Sequence, residues 1–213
     1  MSYVAQEKSL PYIRPIGPDE RYRWTNSSKY TLVIYESLDC KSCRKLNIEI
    51  LKNIAQYKGK FNLAYRSAPL VDLEPLVAEK SLIAECVYSN DGNKVFFDFI
   101  DSLYVNYQVF QKDNNWAMDL AKKVMTHPDM LDACLADPIK KQKIADDIKN
   151  SIADGIKFTP SVVIFYDGKL VGRYASGFYG TMRIINYLST FEDNADQFWS
   201  DELFNKIQKG NIK

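Results

Sequence analysis

Two cysteines, Cys40 and Cys43, are the residues of this chain whose spacing most directly suggests chemistry. They follow a strand-like run at residues 31–35 and open a helix-like run at residues 44–51. Side chains three positions apart on a helix are neighbours, within the reach that a disulfide requires. The first turn of a helix also offers unpaired N–H groups and the positive end of the helix dipole, which stabilise a thiolate. The placement therefore predicts a pair that switches between dithiol and disulfide.

Other readings of the four cysteines remain open at this point. A pair with this spacing also occurs in half of a zinc site, and it can form a purely structural disulfide. A zinc site needs two closely spaced ligand pairs, whereas Cys86 and Cys134 fall in separate predicted helices, so we expect no metal. Cys86 and Cys134 are either unrelated buried thiols or a second pair. An even number of cysteines favours an oxidising compartment.

Composition limits the classes of function. The 213 residues are 46% hydrophobic, which is ample for a packed core. Lysine and arginine total 28 against 27 acidic residues, so no basic excess indicates a nucleic-acid partner. No apolar run is long enough to span a bilayer. The first residues lack the pattern of a signal peptide, which predicts either a cytosolic protein or one whose signal peptide has been removed.

The order of elements predicts the fold. Residues 31–66 read as strand, helix, strand, which favours a parallel pair with a right-handed crossover. Helical spacing then recurs at 76–88, 95–107, 115–125 and 138–152, with breaks expected at Asn90-Asp-Gly92 and at Asp137-Pro138. Two strands, 161–166 and 169–174, follow with the hairpin signal Asp167-Gly168 between them, and a helix is expected near 181–191.

This order is that of an α/β thioredoxin fold, a central sheet flanked by helices, with an inserted all-helical subdomain. The chain resembles the DsbA-like thiol:disulfide oxidoreductases of bacteria, and more specifically their four-cysteine subgroup. The stretches that carry the resemblance are residues 31–43, Arg44-Lys-Leu with Glu49 and Leu51, Ala64-Tyr-Arg66 with Pro69-Leu70, Ala84-Glu-Cys86 with Phe96-Phe97 and Leu103-Tyr104, Ala133-Cys-Leu135 through Thr159-Pro160, and Asp167-Gly168 with Gly172.

The resemblance implies roles for individual residues. Cys40 would be the nucleophile that forms a mixed disulfide, and Cys43 the resolving thiol. Thr159-Pro160 resembles the cis-proline loop beside the active site, where the backbone of Thr159 would pair with an extended substrate. Cys86 and Cys134 correspond to the structural disulfide of the subgroup, which clamps the helical insertion.

The chain departs from the family pattern around the first cysteine. The family usually has an apolar residue where this chain has Asp39, and many members have proline and then histidine or an aromatic residue where it has Lys41 and Ser42. Asp39 should raise the pKa of the Cys40 thiol and Lys41 should lower it. We expect both side chains to be solvated, so that their effects are screened.

The family also implies partners, a location and a division of the chain. Protein or peptide thiols and disulfides would be the substrates of a monomer that needs no metal or organic cofactor, and a membrane-bound, DsbB-like or quinone-linked partner would reoxidise it. The periplasm or another extracytoplasmic space is expected, with the cytoplasm as the alternative.

The alternatives in function are a non-catalytic peptide-binding or adaptor module and a reductase or isomerase. The expected units are an arm or edge strand at 1–30, a thioredoxin-like domain at 31–72 and 156–192, a helical insertion at 73–155 and a polar helix or tail at 193–213.

Overall fold

The computed structural model describes residues 12–69, 75–110, 114–175 and 177–190, so the N-terminal part of the predicted arm, Leu70 and the predicted C-terminal tail lie outside the described residues. Within these ranges the strands are β1 (Arg21–Trp24), β2 (Tyr30–Glu36), β3 (Asn62–Ser67), β4 (Ser161–Tyr166) and β5 (Lys169–Ala175). The helices are α1 (Lys41–Lys52), α2 (Ile54–Tyr57), α3 (Pro75–Val105), α4 (Tyr107–Phe110), α5 (Asn114–Val124), α6 (Met130–Ala136), α7 (Pro138–Ala153) and α8 (Gly177–Ser189).

The described strands form one sheet in the order β1-β3-β2-β4-β5. β2 and β3 are parallel, as the predicted crossover requires, and the remaining pairs are antiparallel. β2 therefore lies at the centre of the sheet, and the chain leaves its carboxyl end directly into α1. The thioredoxin fold predicted from the order of elements is confirmed.

The central strand is buried on both of its faces. Leu32 and Ile34 pack into a core shared with α1 and α8, whereas Val33 and Tyr35 face a second core on the opposite side of the sheet. A strand covered on both faces reads as a continuous apolar run rather than an alternating one. This is why residues 31–35 could be identified from sequence, and why the end of β2 is a rigid base for the residues that follow.

The hairpin between β4 and β5 has the geometry that its sequence predicts. Asp167 and Gly168 are the two loop residues, and both have positive φ angles, 49° and 74°. Asp and Gly tolerate this conformation, which matches the right-handed twist of the flanking strands.

Five helices, α3 to α7, lie between β3 and β4 in the described part of the chain. The break predicted at Asn90-Asp-Gly92 is confirmed, because two helical segments of α3 meet in a kink there. α3 runs through this region and is interrupted only at Gly92, where φ is 76° and ψ is −169°. The side chain of Asn90 donates to the carbonyl oxygen of Cys86 one turn earlier, at 2.8 Å, just before this kink.

The boundaries of α7 follow from capping. The Asp137 carboxylate accepts from the N–H of Ile139 at 2.8 Å, and Pro138 occupies the first turn. At the other end Gly155 has a φ of 63°, and the N–H of Ile156 bonds to the carbonyl oxygen of Ser151 at 2.9 Å. A left-handed glycine with this bond closes a helix and turns the chain sharply. The turn directs the chain towards residues 159 and 160.

Buried ion pairs connect the edge strand β1 to α3. Arg23 binds Asp101 through two hydrogen bonds of 2.7 and 2.8 Å, and Arg21 forms a buried pair with Glu85. A bidentate arginine–carboxylate pair fixes both distance and orientation. The inserted helices are thereby held in a defined position against the sheet that carries α1.

Candidate functional site: a cysteine pair at a helix N-terminus

Cys40 and Cys43 are disulfide-bonded at the start of α1, with their Cα atoms 5.1 Å apart. Cys40 is the N-cap residue, with extended backbone angles, and its sulfur accepts a hydrogen bond from the N–H of Cys43 at 3.0 Å. The sulfur of Cys40 therefore takes the place that a serine or aspartate oxygen usually fills at an N-cap. An anionic sulfur in this position is stabilised by the N–H group and by the helix dipole.

The two sulfurs differ in accessibility. Cys43 is fully buried, whereas Cys40 is half-buried at the border of the core formed by the inserted helices. A group arriving from solvent can therefore approach the sulfur of Cys40 but not that of Cys43. This asymmetry is what an attacking and a resolving cysteine require.

The loop before β4 meets the cysteine pair. The Thr159-Pro160 peptide bond is cis, and the carbonyl oxygen of Thr159 lies 3.4 Å from the sulfur of Cys40. Since a disulfide sulfur carries no hydrogen, this is a van der Waals contact in the oxidised pair. The side chain before it, Phe158, is 67% exposed. The sequence predicted this juxtaposition only through the family resemblance, because 119 residues separate Cys40 from Thr159.

Asp39 is not solvated as the sequence led us to expect. Its side chain is 18% exposed, and its carboxylate is 2.8 Å from the ammonium group of Lys80 on α3, a lysine whose side chain is only 3% exposed. The backbone carbonyl oxygen of Asp39 accepts from the hydroxyl of Tyr107 at 2.6 Å. The expectation was wrong because the insertion covers this position. Lys41 and Ser42 are exposed on the first turn of α1.

A buried carboxyl group lies at the end of β2. Glu36 is 2% exposed, and one of its oxygens accepts from the side-chain amide of Asn47 at 2.6 Å. The same amide group contacts the carbonyl oxygen of Cys43 at 3.1 Å. Burial is the main cause that raises the pKa of Glu36 to about 7, against the opposing effects of the Asn47 hydrogen bond and the Arg23 charge. A pKa raised this far brings the titration of Glu36 close to neutral pH, in a carboxyl group that is hydrogen-bonded to Asn47 of α1.

The tyrosine above this carboxyl group belongs to the insertion. The hydroxyl of Tyr104 lies 3.3 Å from Glu36, and burial raises the pKa of Tyr104 well above its ordinary value. The carbonyl oxygen of Tyr104 accepts from the Arg44 guanidinium at 2.8 Å. Tyr104 of α3 thus makes polar contacts with both α1, through Arg44, and the end of β2, through Glu36.

Cys86 on α3 and Cys134 on α6 form a second disulfide, with Cα atoms 5.8 Å apart. Cys86 is fully buried and Cys134 packs against the same apolar cluster. The pair lies inside the helical insertion, and its cysteines belong to or pack against the same apolar cluster as Cys43. In the described part of the chain, no group of three or more histidine, cysteine or acidic side chains is arranged to hold a metal ion, and no described helix is long and apolar enough to cross a membrane.

Sequence reasoning missed Lys80, Tyr107, Glu36 and Asn47. One signal was available for Lys80: it lies three residues before Ile83 and seven before Val87, both of which are fully buried, so the lysine falls on the apolar face of its helix. A lysine on such a face needs a partner. Glu36 likewise continues a strand whose residues are all buried. The partners themselves are far apart in the chain, so their identity required the fold.

Comparisons with known proteins agree with this fold. The chain matches the model of the thioredoxin family over residues 19–175. No curated protein sequence matches it significantly. Among solved structures, alpha-DsbA1 from Wolbachia pipientis superposes with a TM-score of 0.66 at 16% identity, covering 82% of this chain and 93% of that one.

Two further structures show the same relationship. BdbD from Bacillus subtilis has a TM-score of 0.64 at 18% identity, with 84% of this chain and 97% of that chain covered. DsbA2 from Pseudomonas aeruginosa has a TM-score of 0.60 at 17% identity, with 83% and 97% covered. The resemblance to DsbA-like proteins drawn from sequence is therefore confirmed at the level of the fold, and because the family model matches most of its length, this chain belongs to the thioredoxin family.

Proposed function

We propose that this protein is a thiol:disulfide oxidoreductase that acts on protein substrates through Cys40 and Cys43, by DsbA-like transfer of a disulfide. The observation that carries the proposal is the position of the Cys40 sulfur: it is the N-cap of α1, it is half-buried, and it lies 3.4 Å from the carbonyl oxygen of Thr159. Such a sulfur is reachable, and its thiolate is a stabilised leaving group.

In the oxidising direction, a substrate thiolate attacks the sulfur of Cys40. A substrate–Cys40 bond forms, the bond between Cys40 and Cys43 breaks, and Cys43 leaves as a thiolate. A second substrate thiolate then attacks the substrate sulfur of this mixed disulfide and releases Cys40 as a thiolate. The substrate has lost two electrons and the cysteine pair has gained them. A membrane-bound, DsbB-like or quinone-linked partner would remove those electrons and restore the disulfide.

The surrounding residues have supporting roles in this proposal. The backbone of the half-buried Thr159, which precedes the buried Pro160 and lies beside Cys40, would pair with an extended substrate segment, so that the substrate sulfur is held near Cys40. Asp39, Lys41 and Ser42 would tune the charge at the nucleophile. Cys86 and Cys134 lie in the insertion and would be structural rather than catalytic.

We also propose an extracytoplasmic, monomeric protein divided as the sequence predicts, with a thioredoxin-like domain at 31–72 and 156–192 and a helical insertion at 73–155. The second disulfide supports the location, because a structural disulfide persists in oxidising compartments and is rare in the cytosol. The pairing of β4 with β2 in one sheet supports this division, because it joins the two parts of the thioredoxin-like domain across the insertion.

The activity is tested by two assays: reduction of insulin in the presence of dithiothreitol and oxidation of a two-cysteine peptide in a glutathione buffer. We expect wild-type protein to accelerate at least the oxidation, and the Cys40→Ala variant to accelerate neither reaction. The matched control is the Cys86→Ala/Cys134→Ala variant, which removes the other disulfide and should remain active. Equal turnover by wild type and Cys40→Ala in both assays contradicts the proposal and favours a non-catalytic peptide-binding module.

A further inference from the structure

Lys80 is a buried lysine that the steps above do not use. Its side chain is 3% exposed, and its ammonium group is 2.8 Å from the carboxylate of Asp39, the residue that precedes Cys40. A lysine is rarely this buried unless its charge is compensated, because removing an ammonium group from water is costly. Here the carboxylate that compensates it is adjacent in sequence to the proposed nucleophile.

The insertion holds Asp39 at two places. Lys80 of α3 binds its side chain, and the hydroxyl of Tyr107 on α4 donates to its backbone carbonyl oxygen at 2.6 Å. Tyr107 is itself buried, and the Arg44 guanidinium lies over its ring, 5.7 Å from the centroid. The position of Asp39, and with it the backbone that leads into Cys40, is therefore set by helices that lie outside the thioredoxin core.

The charge of Asp39 matters for a thiolate at Cys40. Asp39 immediately precedes Cys40 in the chain, and a neighbouring carboxylate disfavours a thiolate, whereas the opposite charge of an ammonium group paired with that carboxylate cancels much of the effect. The second oxygen of Asp39 is buried and accepts no hydrogen bond from the residues that the structure describes. Among those residues, Lys80 is the cation that lies within 4.0 Å of the carboxylate.

We propose that Lys80 is a positioning residue, which neutralises the carboxylate of Asp39 and thereby stabilises the thiolate of Cys40 in the reduced pair. The inference rests on the proposed function for its meaning, but the effect is a property of the protein without substrate. It assigns part of the reactivity of the site to the helical insertion.

Other charged groups near Cys40 are held constant in the test. Lys41 and Arg44 lie on α1, Lys157 precedes the loop at Thr159, and Glu36 lies four residues before Cys40 at the end of β2. None of these is changed in the variants below, so their contribution to the thiolate is common to all of them.

The test is a titration of the reduced protein, followed by thiolate absorbance at 240 nm, in wild type, Lys80→Gln, Asp39→Asn and the double variant. We expect Lys80→Gln to raise the pKa of the Cys40 thiol by about one pH unit or more, since an uncompensated carboxylate is left beside it. Asp39→Asn removes the negative charge next to Cys40 and keeps the positive charge of Lys80, so it should lower that pKa by a similar amount. The double variant should titrate close to wild type.

The equilibrium with glutathione gives an independent readout. When the thiolate of Cys40 is destabilised, the disulfide is harder to reduce, so the equilibrium constant for reduction of the Lys80→Gln protein should fall by about tenfold. The control is Lys143→Gln, which removes another insertion lysine that pairs with an acidic side chain, Asp147, and should move neither quantity.

An unchanged thiol pKa in Asp39→Asn overturns the inference even if Lys80→Gln fails to fold. So does an equal shift in Lys143→Gln and Lys80→Gln, because the effect would then reflect net charge alone. If the wild-type protein shows no substrate turnover in either assay, the proposed function is contradicted, but the effect of Lys80 on the thiol pKa can still be measured.

Discussion

The sulfur of Cys40 lies 3.4 Å from the carbonyl oxygen of Thr159, although 119 residues separate the two in the chain. The contact joins the N-terminus of α1 to the loop by which the chain returns from the inserted helices to the sheet. Any extended segment that pairs with the backbone at Thr159 is thereby brought to the reachable sulfur of the pair.

The two cysteines of the pair should behave differently when each is replaced. Cys43→Ala retains the reachable sulfur but lacks the thiol that resolves a mixed disulfide, so it should accumulate a covalent adduct with a peptide disulfide. Cys40→Ala keeps only a fully buried sulfur at this site and should form little adduct. Mass spectrometry of the intact proteins and of their peptides measures the yield and position of the adduct. Equal adduct on both variants contradicts the assignment of the nucleophile.

Removal of the second disulfide should lower stability without changing the redox pair. The bond between Cys86 and Cys134 closes a loop with a sequence separation of 48. On the chain-entropy estimate, such a cross-link contributes up to about 4 kcal/mol. We expect Cys86→Ala/Cys134→Ala to unfold at lower denaturant concentration, with an unchanged redox potential at Cys40 and Cys43. A shift of that potential with unchanged unfolding would show that the second pair acts on the site.

Glu36 should make folding stability depend on pH. Its pKa in the folded protein is raised to about 7 from an ordinary value of 4.5, mainly by burial. Stability from the protonated group is therefore fully present below pH 4.5 and is lost as the pH rises towards 7, by roughly 3 kcal/mol in total. Glu36→Gln should lack this loss and be more stable than wild type above pH 7.

Denaturant unfolding between pH 4 and 8 measures this effect. Asp98→Asn serves as the control, because the Asp98 side chain is 55% exposed and pairs only with the exposed Lys94 in the described residues. In that variant the free energy of unfolding should change with pH as it does in wild type. If Glu36→Gln also shows the wild-type pH dependence of the free energy of unfolding, the carboxyl group of Glu36 does not titrate between pH 4 and 8.

Phe158 should contribute to substrate binding rather than to the redox chemistry. It is 67% exposed and directly precedes Thr159, so its ring is available to an apolar side chain of a bound peptide. Phe158→Ser should raise KM for a peptide substrate several-fold and leave kcat and the redox potential unchanged. Ile139→Ser is a suitable control, since Ile139 is 73% exposed at the N-terminal end of α7, outside the loop that contacts Cys40. Equal effects on KM in both variants would exclude a specific role for Phe158.

The sequence was informative wherever local patterns determine structure. The apolar run of β2, the Asp167-Gly168 hairpin and the cap at Asp137 each depend on neighbouring residues, and each was predicted correctly. The break at Asn90-Asp-Gly92 was also predicted correctly, since glycine readily adopts the positive φ angle that interrupts α3.

The environment of the site depends on contacts between distant parts of the chain. The sequence alone led us to expect a solvated Asp39, since nothing local indicates that Lys80, 41 residues later, lies against it. The same holds for Glu36, whose partner Tyr104 comes from the insertion. Charges beside a reactive sulfur are thus the least predictable part of the site, because tertiary packing decides whether they are exposed or paired.

The central claim is that Cys40 and Cys43 exchange between dithiol and disulfide, and its most direct test is their redox potential. The protein is equilibrated with a series of glutathione buffers, the free thiols are alkylated, and the fraction reduced at these two residues is measured by mass spectrometry. We predict a reversible two-electron transition between about −120 and −270 mV, with values near the upper end identifying an oxidase and those near the lower end a reductase. A pair that remains bonded throughout, below about −300 mV, would be a structural disulfide and would contradict the account.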